Sequence, residues 1–99
     1  MKYEYLGYIG EYEKHPLEKI ILRYVKEGPV LDIGCGNGNV LVLLKDKFDV
    51  EGFDISEVAV KMAKKKGVKA KVAGIDEFKT NKKFKTILML GFLVLSHAP

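Results

Sequence analysis

The sequence predicts an α/β domain, a parallel sheet with flanking helices. Three observations carry that expectation. Strand-like segments alternate with segments of helical periodicity from Pro16 to Leu90, which implies parallel pairing with right-handed crossovers. The first strand of that series runs into a turn with glycine at 34, 36 and 38 before the next helix. The third strand alternates apolar residues with lysine, whereas the fourth is continuously apolar. Lysine guards an open sheet edge, and an unbroken apolar run marks a strand covered on both faces.

Each element has its own local reason. Pro16 to Glu27 reads as a helix: Pro16 suits the first turn, and Leu17, Ile20, Ile21, Tyr24 and Val25 form one stripe. Gly28 and Pro29 end it. Val30 to Ile33 is a short apolar strand, and Gly34 to Gly38 the turn after it. Val40 to Lys47 reads as a helix with Leu41, Leu44 and Phe48 inward, and Val50 to Asp54 as the second strand. Ser56 is a natural N-cap for a helix from Glu57 to Lys66, which Gly67 stops. Val68 to Ala73 is the third strand, with Val68, Ala70 and Val72 on one side and Lys69 and Lys71 on the other. A short helical turn is expected over Ile75 to Lys79, and the fourth strand over Phe84 to Leu90.

A chain of 99 residues, 47% of them hydrophobic, suffices for one domain with one core. The single Cys35 has no partner for an internal disulfide, so a reducing, cytoplasmic setting is expected. The start of the chain is polar and rich in tyrosine, without the apolar stretch of a signal peptide. The longest apolar run, Ile87 to Leu95, falls well short of the roughly 20 residues a membrane-spanning helix needs. It reads as a strand running into a turn, and no membrane partner is expected. Charge is uneven. Residues 61–85 hold ten lysines against Asp76 and Glu77, a balance of +8, while residues 1–60 have seven basic and eleven acidic residues, a balance of −4. Such a basic stretch attracts nucleic acid in some proteins. Here aromatic residues do not interleave with the lysines as base-stacking platforms would, so a solvated helix face and a charged sheet edge are the favoured reading.

The chemistry centres on Val30-Leu31-Asp32-Ile33-Gly34-Cys35-Gly36-Asn37-Gly38-Asn39-Val40. Glycines in such a turn permit positive φ and let a ligand lie against bare main chain. A nucleotide-like ligand binds at the carboxyl end of such a strand. Dinucleotide sites favour G-x-G-x-x-G, but position 39, where the third glycine would stand, is Asn. Asp54 ends the second strand 20 residues after Gly34, where a carboxylate accepts hydrogen bonds from ribose hydroxyls. Cys35 reads as a small packing residue of the turn, not a nucleophile.

The segment VLDIGCGNG, with Asp32 two residues ahead of G-x-G-x-G, resembles the first motif of class I S-adenosylmethionine-dependent methyltransferases. The resemblance extends over about Tyr3 to His97. It implies S-adenosyl-L-methionine as cofactor, lying against Gly34, Cys35, Gly36 and Gly38, with Asp54 on the ribose diol and Ile55 on the adenine. It places Asp32 near the cofactor's amino acid part, where a carboxylate favours the ammonium group. After the third strand it implies an acid for the adenine amine. Asp76 and the position of Gly74 both align there, with Ile75 as an apolar neighbour. Leu90 and Gly91 would approach the methionine part and the substrate. His97, close to the leucine–acid–His–x–Pro ending of the family but displaced from it, is a poor candidate base.

The resemblance also implies a Rossmann-like sheet ordered 3-2-1-4-5-7-6, of which this chain supplies strands 1 to 4. The expected fold is therefore an incomplete domain with strand order 3-2-1-4, whose fourth strand is left for a partner chain or a second copy to cover. The implied activity is methyl transfer to an acceptor that the sequence does not identify, a small molecule being favoured over nucleic acid. The N-terminal Tyr3, Tyr5, Tyr8 and Tyr12 are open to two readings, a lid over the site or packing against the sheet. A non-catalytic cofactor-binding or interaction module stays open as a second reading, and a nicotinamide dinucleotide oxidoreductase as a third.

Overall fold

A computed structural model of the chain describes residues 2–8, 16–89 and 92–97, with side chains from 19 to 89. The elements are β1 (Lys2–Tyr8), α1 (Pro16–Tyr24), β2 (Val30–Ile33), α2 (Asn39–Leu44), β3 (Val50–Asp54), α3 (Glu57–Lys65), β4 (Lys69–Val72), β5 (Thr86–Met89) and β6 (Phe92–His97). They form one sheet in the order β1-β6-β5-β2-β3-β4. Within it β4, β3, β2 and β5 are parallel, which is the expected 3-2-1-4 arrangement. The lysine-guarded strand β4 is the edge, as its alternation predicts.

The far side of the sheet corrects the expectation that the fourth strand is left for a partner chain or a second copy: a strand of the same chain pairs with it. The fourth predicted strand is β5, shorter than Phe84 to Leu90, and the apolar run after it is not a single strand. It returns as β6, antiparallel to β5 with Met89 opposite Phe92. β1 then pairs antiparallel with β6, Lys2 opposite His97, with a register irregularity between Tyr5 and Tyr8. The N-terminal segment is thus a strand. Tyr3 and Tyr5 alternate with Lys2, Glu4 and Leu6, and aromatic residues favour strands. Tyr3, Tyr5 and Tyr8 all lie on β1, while Tyr12 lies outside the described residues.

The helices cover one face of the sheet. Ile21 and Val25 of the first helical stripe, Leu41 and Leu44 of α2, and Val60 and Ala63 of α3 meet Val30, Val50, Ala70 and Leu88 from the strands and Val68 just before β4. Burying one such side chain contributes roughly 1.5–3 kcal/mol, so this layer is the main source of cohesion. On the opposite face Leu31, Phe53 and Phe84 are buried with Phe78, Ile33 and Ile87 packed against them. Phe53 and Phe78 stack at 4.3 Å between ring centroids. Val72, expected to point inward with Val68 and Ala70, is instead 50% exposed. It is the last residue of an edge strand, with a sheet neighbour on one side only.

Boundaries shift at the ends of elements. Helix α1 stops at Tyr24 and not Glu27, with one further turn bond from the Val25 N–H to the Ile21 carbonyl. Helix α2 begins at Asn39, one residue early, and ends at Leu44, whose carbonyl accepts the N–H groups of Lys47 and Phe48. Ser56 caps α3, accepting the Ala59 N–H at 3.1 Å. Over Ile75 to Lys79 there is a hydrogen-bonded turn and no helix: the Glu77 and Phe78 N–H groups both donate to the Gly74 carbonyl.

Candidate functional site

Four parallel strands end together at one rim of the sheet, and the glycine turn leaves β2 there. Gly34, Gly36 and Gly38 have φ of 75°, 55° and 84°, a region that non-glycine residues rarely adopt. Each has a distinct surrounding. The Gly34 and Cys35 N–H groups both donate to the Phe53 carbonyl at 2.9 Å, which ties the turn to β3. A Cβ on Gly36 would meet nothing within 4 Å, so its face of the turn is open. A Cβ on Gly38 would lie 2.9 Å from Cβ of Ala63, so this glycine is needed for α3 to approach. Asn39, where a dinucleotide site has its third glycine, has an exposed side chain that accepts the Lys66 ammonium at 2.7 Å.

Gly52 also shapes the site, although the motif reading does not single it out. A Cβ there would lie 2.6 Å from Cβ of Cys35 and 2.9 Å from Cδ1 of Leu41. The signal was a glycine inside a strand, which marks close backbone approach.

Asp54, at the tip of β3, spans the gap between two loops. Its Oδ2 accepts the Gly36 N–H at 2.9 Å, and its Oδ1 accepts the Ser56 N–H at 2.9 Å. Each carboxylate oxygen has a further lone pair, so the group is oriented by main chain without being saturated.

Asp32 is 4% exposed, and no hydrogen bond reaches its carboxyl among the described residues. Burial, and then the nearby Asp54 charge, raise it to about 7. A buried acid near neutrality with a second carboxylate beside it favours a cation. Cys35 has the opposite character. Its side chain packs in the helix-side core, and burial followed by the Asp32 and Asp54 charges pushes the thiol up to about 11. The thiol stays neutral and is no nucleophile.

An apolar rim completes the arrangement. Ile55 follows Asp54 and is 78% exposed; Ile75 is 67% exposed. Ile55, Gly74 and Asp76 come together: a Cβ on Gly74 would lie 3.2 Å from Asp76 Oδ1 and 3.7 Å from Ile55 Cγ2. The carboxylates of Glu77, at 3.1 Å, and Asp76 thus both lie beside the place a side chain at 74 would take. Glu77 is the capping partner, its Oε1 accepting the Gly74 N–H at 2.8 Å. Leu90 and Gly91 lie outside the described residues, and His97 is placed on β6 by its backbone alone. Open glycine main chain, an unsaturated carboxylate, a buried acid and exposed apolar side chains together suit a ligand with hydroxyls, a cationic group and a flat apolar ring.

The family described as "methyltransferase domain" matches residues 9–97. The chain belongs to this methyltransferase-domain family. The domain is similar to the solved PH0226 protein of Pyrococcus horikoshii OT3, with 30% identity, 79% of this chain and 41% of that one covered, and a TM-score of 0.66. It is similar to the plantazolicin methyltransferase BpumL, solved in complex with SAH, at 33% identity over 73% of this chain and 31% of that one, TM-score 0.56. It is also similar to a tRNA (uracil-54, C5)-methyltransferase of Pyrococcus abyssi, solved with S-adenosyl-L-homocysteine, at 29% identity over 72% of this chain and 20% of that one, TM-score 0.64. The methyltransferase domain thus spans less than half the length of each of these solved proteins. No curated protein matches it.

Proposed function

We propose that the chain is the cofactor-binding portion of an S-adenosylmethionine-dependent methyltransferase. The observation that carries this reading is the Asp54 carboxylate, bonded at once to the Gly36 and Ser56 N–H groups at 2.9 Å. It stands where a ribose diol would lie when the ligand rests on the open face of Gly36. Asp32 supplies the counter-charge for the ligand's ammonium, Ile55 and Ile75 the apolar surroundings of the adenine, and Asp76 the acceptor for its amine. Gly34, Cys35 and Gly38 shape the turn through main chain and packing. The two neighbours solved with S-adenosylhomocysteine support the same ligand.

When bound, S-adenosylmethionine supplies a methyl group already activated on a sulfonium. What remains for the protein is proximity, orientation and a dry pocket. Asp54 and the glycine turn hold and orient; Asp32 fixes the charged end; neither moves a proton in the transfer. Among the described residues no helix is long and apolar enough to cross a membrane. Because the single Cys35 has no partner for an internal disulfide, we place the protein in the cytoplasm, which cell fractionation checks.

Calorimetry tests the cofactor assignment. S-adenosylmethionine and S-adenosylhomocysteine are expected to bind, and NAD to give no heat. Binding of NAD with no response to the other two overturns the proposal. A methyl-transfer assay on pooled acceptors separates an enzyme from a cofactor-binding module. Transfer of labelled methyl is the expected result, and cofactor binding without any transfer supports the module.

A further inference from the structure

Ten lysines fall between residues 61 and 85, and folding brings several of them to one edge of the sheet. Lys61, Lys64 and Lys65 are exposed on α3, Lys69 and Lys71 on the edge strand β4, and Lys83 in the segment beyond. A cleft between α3 and β4 is lined by Lys64, Lys69 and Lys71 together with Glu51, Val68 and Ala70. Ion pairing removes little of this charge. Asp49 is shared by Lys82 at 2.6 Å and Lys69 at 4.0 Å, and Glu51 lies 3.6 Å from Lys82. Lys61, Lys64, Lys65, Lys71 and Lys83 make no ion pair among the described residues.

We infer that this edge binds the phosphate backbone of a nucleic acid. The inference goes beyond the methyltransferase reading and does not rest on it. Lysine spacing in sequence leaves a solvated helix face as the simpler account; the fold adds convergence of lysines from two elements, α3 and β4, on one cleft. Lys69 and Lys71 stand two residues apart on one strand, about 6.6 Å along it, a spacing suited to successive charges of an extended strand. The lysines also wrap the edge, from the helix-covered side to the opposite side. A flat bilayer cannot meet both sides at once, whereas a flexible polyanion can follow the turn. The mode is electrostatic and not base-stacking. The ring of Phe78 is stacked on Phe53 and covered by the Lys71 ammonium at 5.9 Å, so it is not free to receive a base. Sequence-independent, strongly salt-dependent binding follows.

The test is fluorescence anisotropy of the unmodified chain with a labelled single-stranded 20-nucleotide RNA of mixed sequence, without cofactor, across a salt series. For three to four phosphate contacts the log–log salt slope is expected to be roughly −2 to −3. The Lys64→Ala/Lys69→Ala/Lys71→Ala variant should bind about 10–30-fold more weakly at moderate salt, with the slope shallower by about 2. Lys61→Ala/Lys65→Ala, on the exposed face of α3, should lose about 3–10-fold and reports on the same surface should the triple variant melt early. Lys19→Ala/Arg23→Ala/Lys26→Ala removes the same charge elsewhere and should change affinity by less than about 3-fold. Absence of RNA binding at low salt, equal losses in the two triple variants, or tighter binding to phosphatidylserine vesicles or polyglutamate than to RNA overturns the inference.

Discussion

Gly36 donates its main-chain N–H to Oδ2 of Asp54 at 2.9 Å, so the turn after β2 and the tip of β3 are held as one unit. The same carboxylate takes the Ser56 N–H through its other oxygen. A residue assigned to ligand binding therefore also braces the loops that frame the ligand.

Asp54→Ala should weaken S-adenosylmethionine binding by about 1.5–3 kcal/mol, the range for hydrogen bonds to a charged group. Asp54→Asn, which keeps one acceptor oxygen, should lose less. Calorimetric titration of both variants checks the order. Affinity unchanged in Asp54→Ala removes this residue from the site.

Asp32 makes stability depend on pH. Its carboxyl is raised from 3.8 to about 7 by burial and then by Asp54, so between those values the folded state binds a proton that the unfolded state has released. Its contribution is fully present below about pH 4 and is lost as pH rises through about 7. Asp32→Asn should flatten that slope and raise stability at pH 8 by on the order of 2–4 kcal/mol, read from denaturant unfolding at several pH values. The same substitution should weaken the cofactor. In the unaltered protein, ligand binding below pH 7 should release a proton, since an ammonium beside Asp32 favours its ionised form; calorimetry in buffers of different ionisation enthalpy measures it.

Gly36 and Gly38 should separate stability from binding. Gly38→Ala forces a Cβ within 2.9 Å of Ala63 at φ 84°, and strain plus overpacking should cost roughly 2–5 kcal/mol of stability. Gly36→Ala meets no protein atom within 4 Å, so about 1–2 kcal/mol of backbone strain is expected. Its added methyl points to the open face, and cofactor affinity should fall more than stability does. Melting curves with and without ligand compare the two.

Cys35 should be inert. With its thiol at about 11 and its side chain 6% exposed, alkylation of the native protein at pH 8 should be far slower than of the unfolded chain. Cys35→Ala should keep cofactor binding. Rapid native alkylation, followed by mass spectrometry, contradicts the packing role.

Much of the parallel sheet was legible in the sequence because its signals are local. The strands Val30–Ile33 and Val50–Asp54 have the bounds expected from the sequence, and Lys69 and Lys71 mark the edge at which β4 lies. What the sequence did not yield depends on pairing at a distance. β1 and β6 acquire their meaning from each other across nearly the whole chain, and no window of periodicity contains both. The apolar run Ile87 to Leu95 reads as a strand running into a turn, but nothing local in it shows that the chain returns as β6 beside β5. At the site, motif spacing led to Asp32, Asp54 and the glycines. Gly52 was overlooked because its role lies in Cys35 and Leu41, which it meets only after folding. The meeting of Asp76 with Gly74 and Ile55 likewise needs the turn that Glu77 caps.

The most direct test of the account is a backbone amide NMR titration with S-adenosylhomocysteine. Saturable shifts centred on Gly36, Asp54, Ile55, Gly74 and Ile75, with little change along α1, are the predicted result. Saturable shifts that leave Gly36 and Asp54 unmoved, or no shifts at millimolar ligand, contradict it.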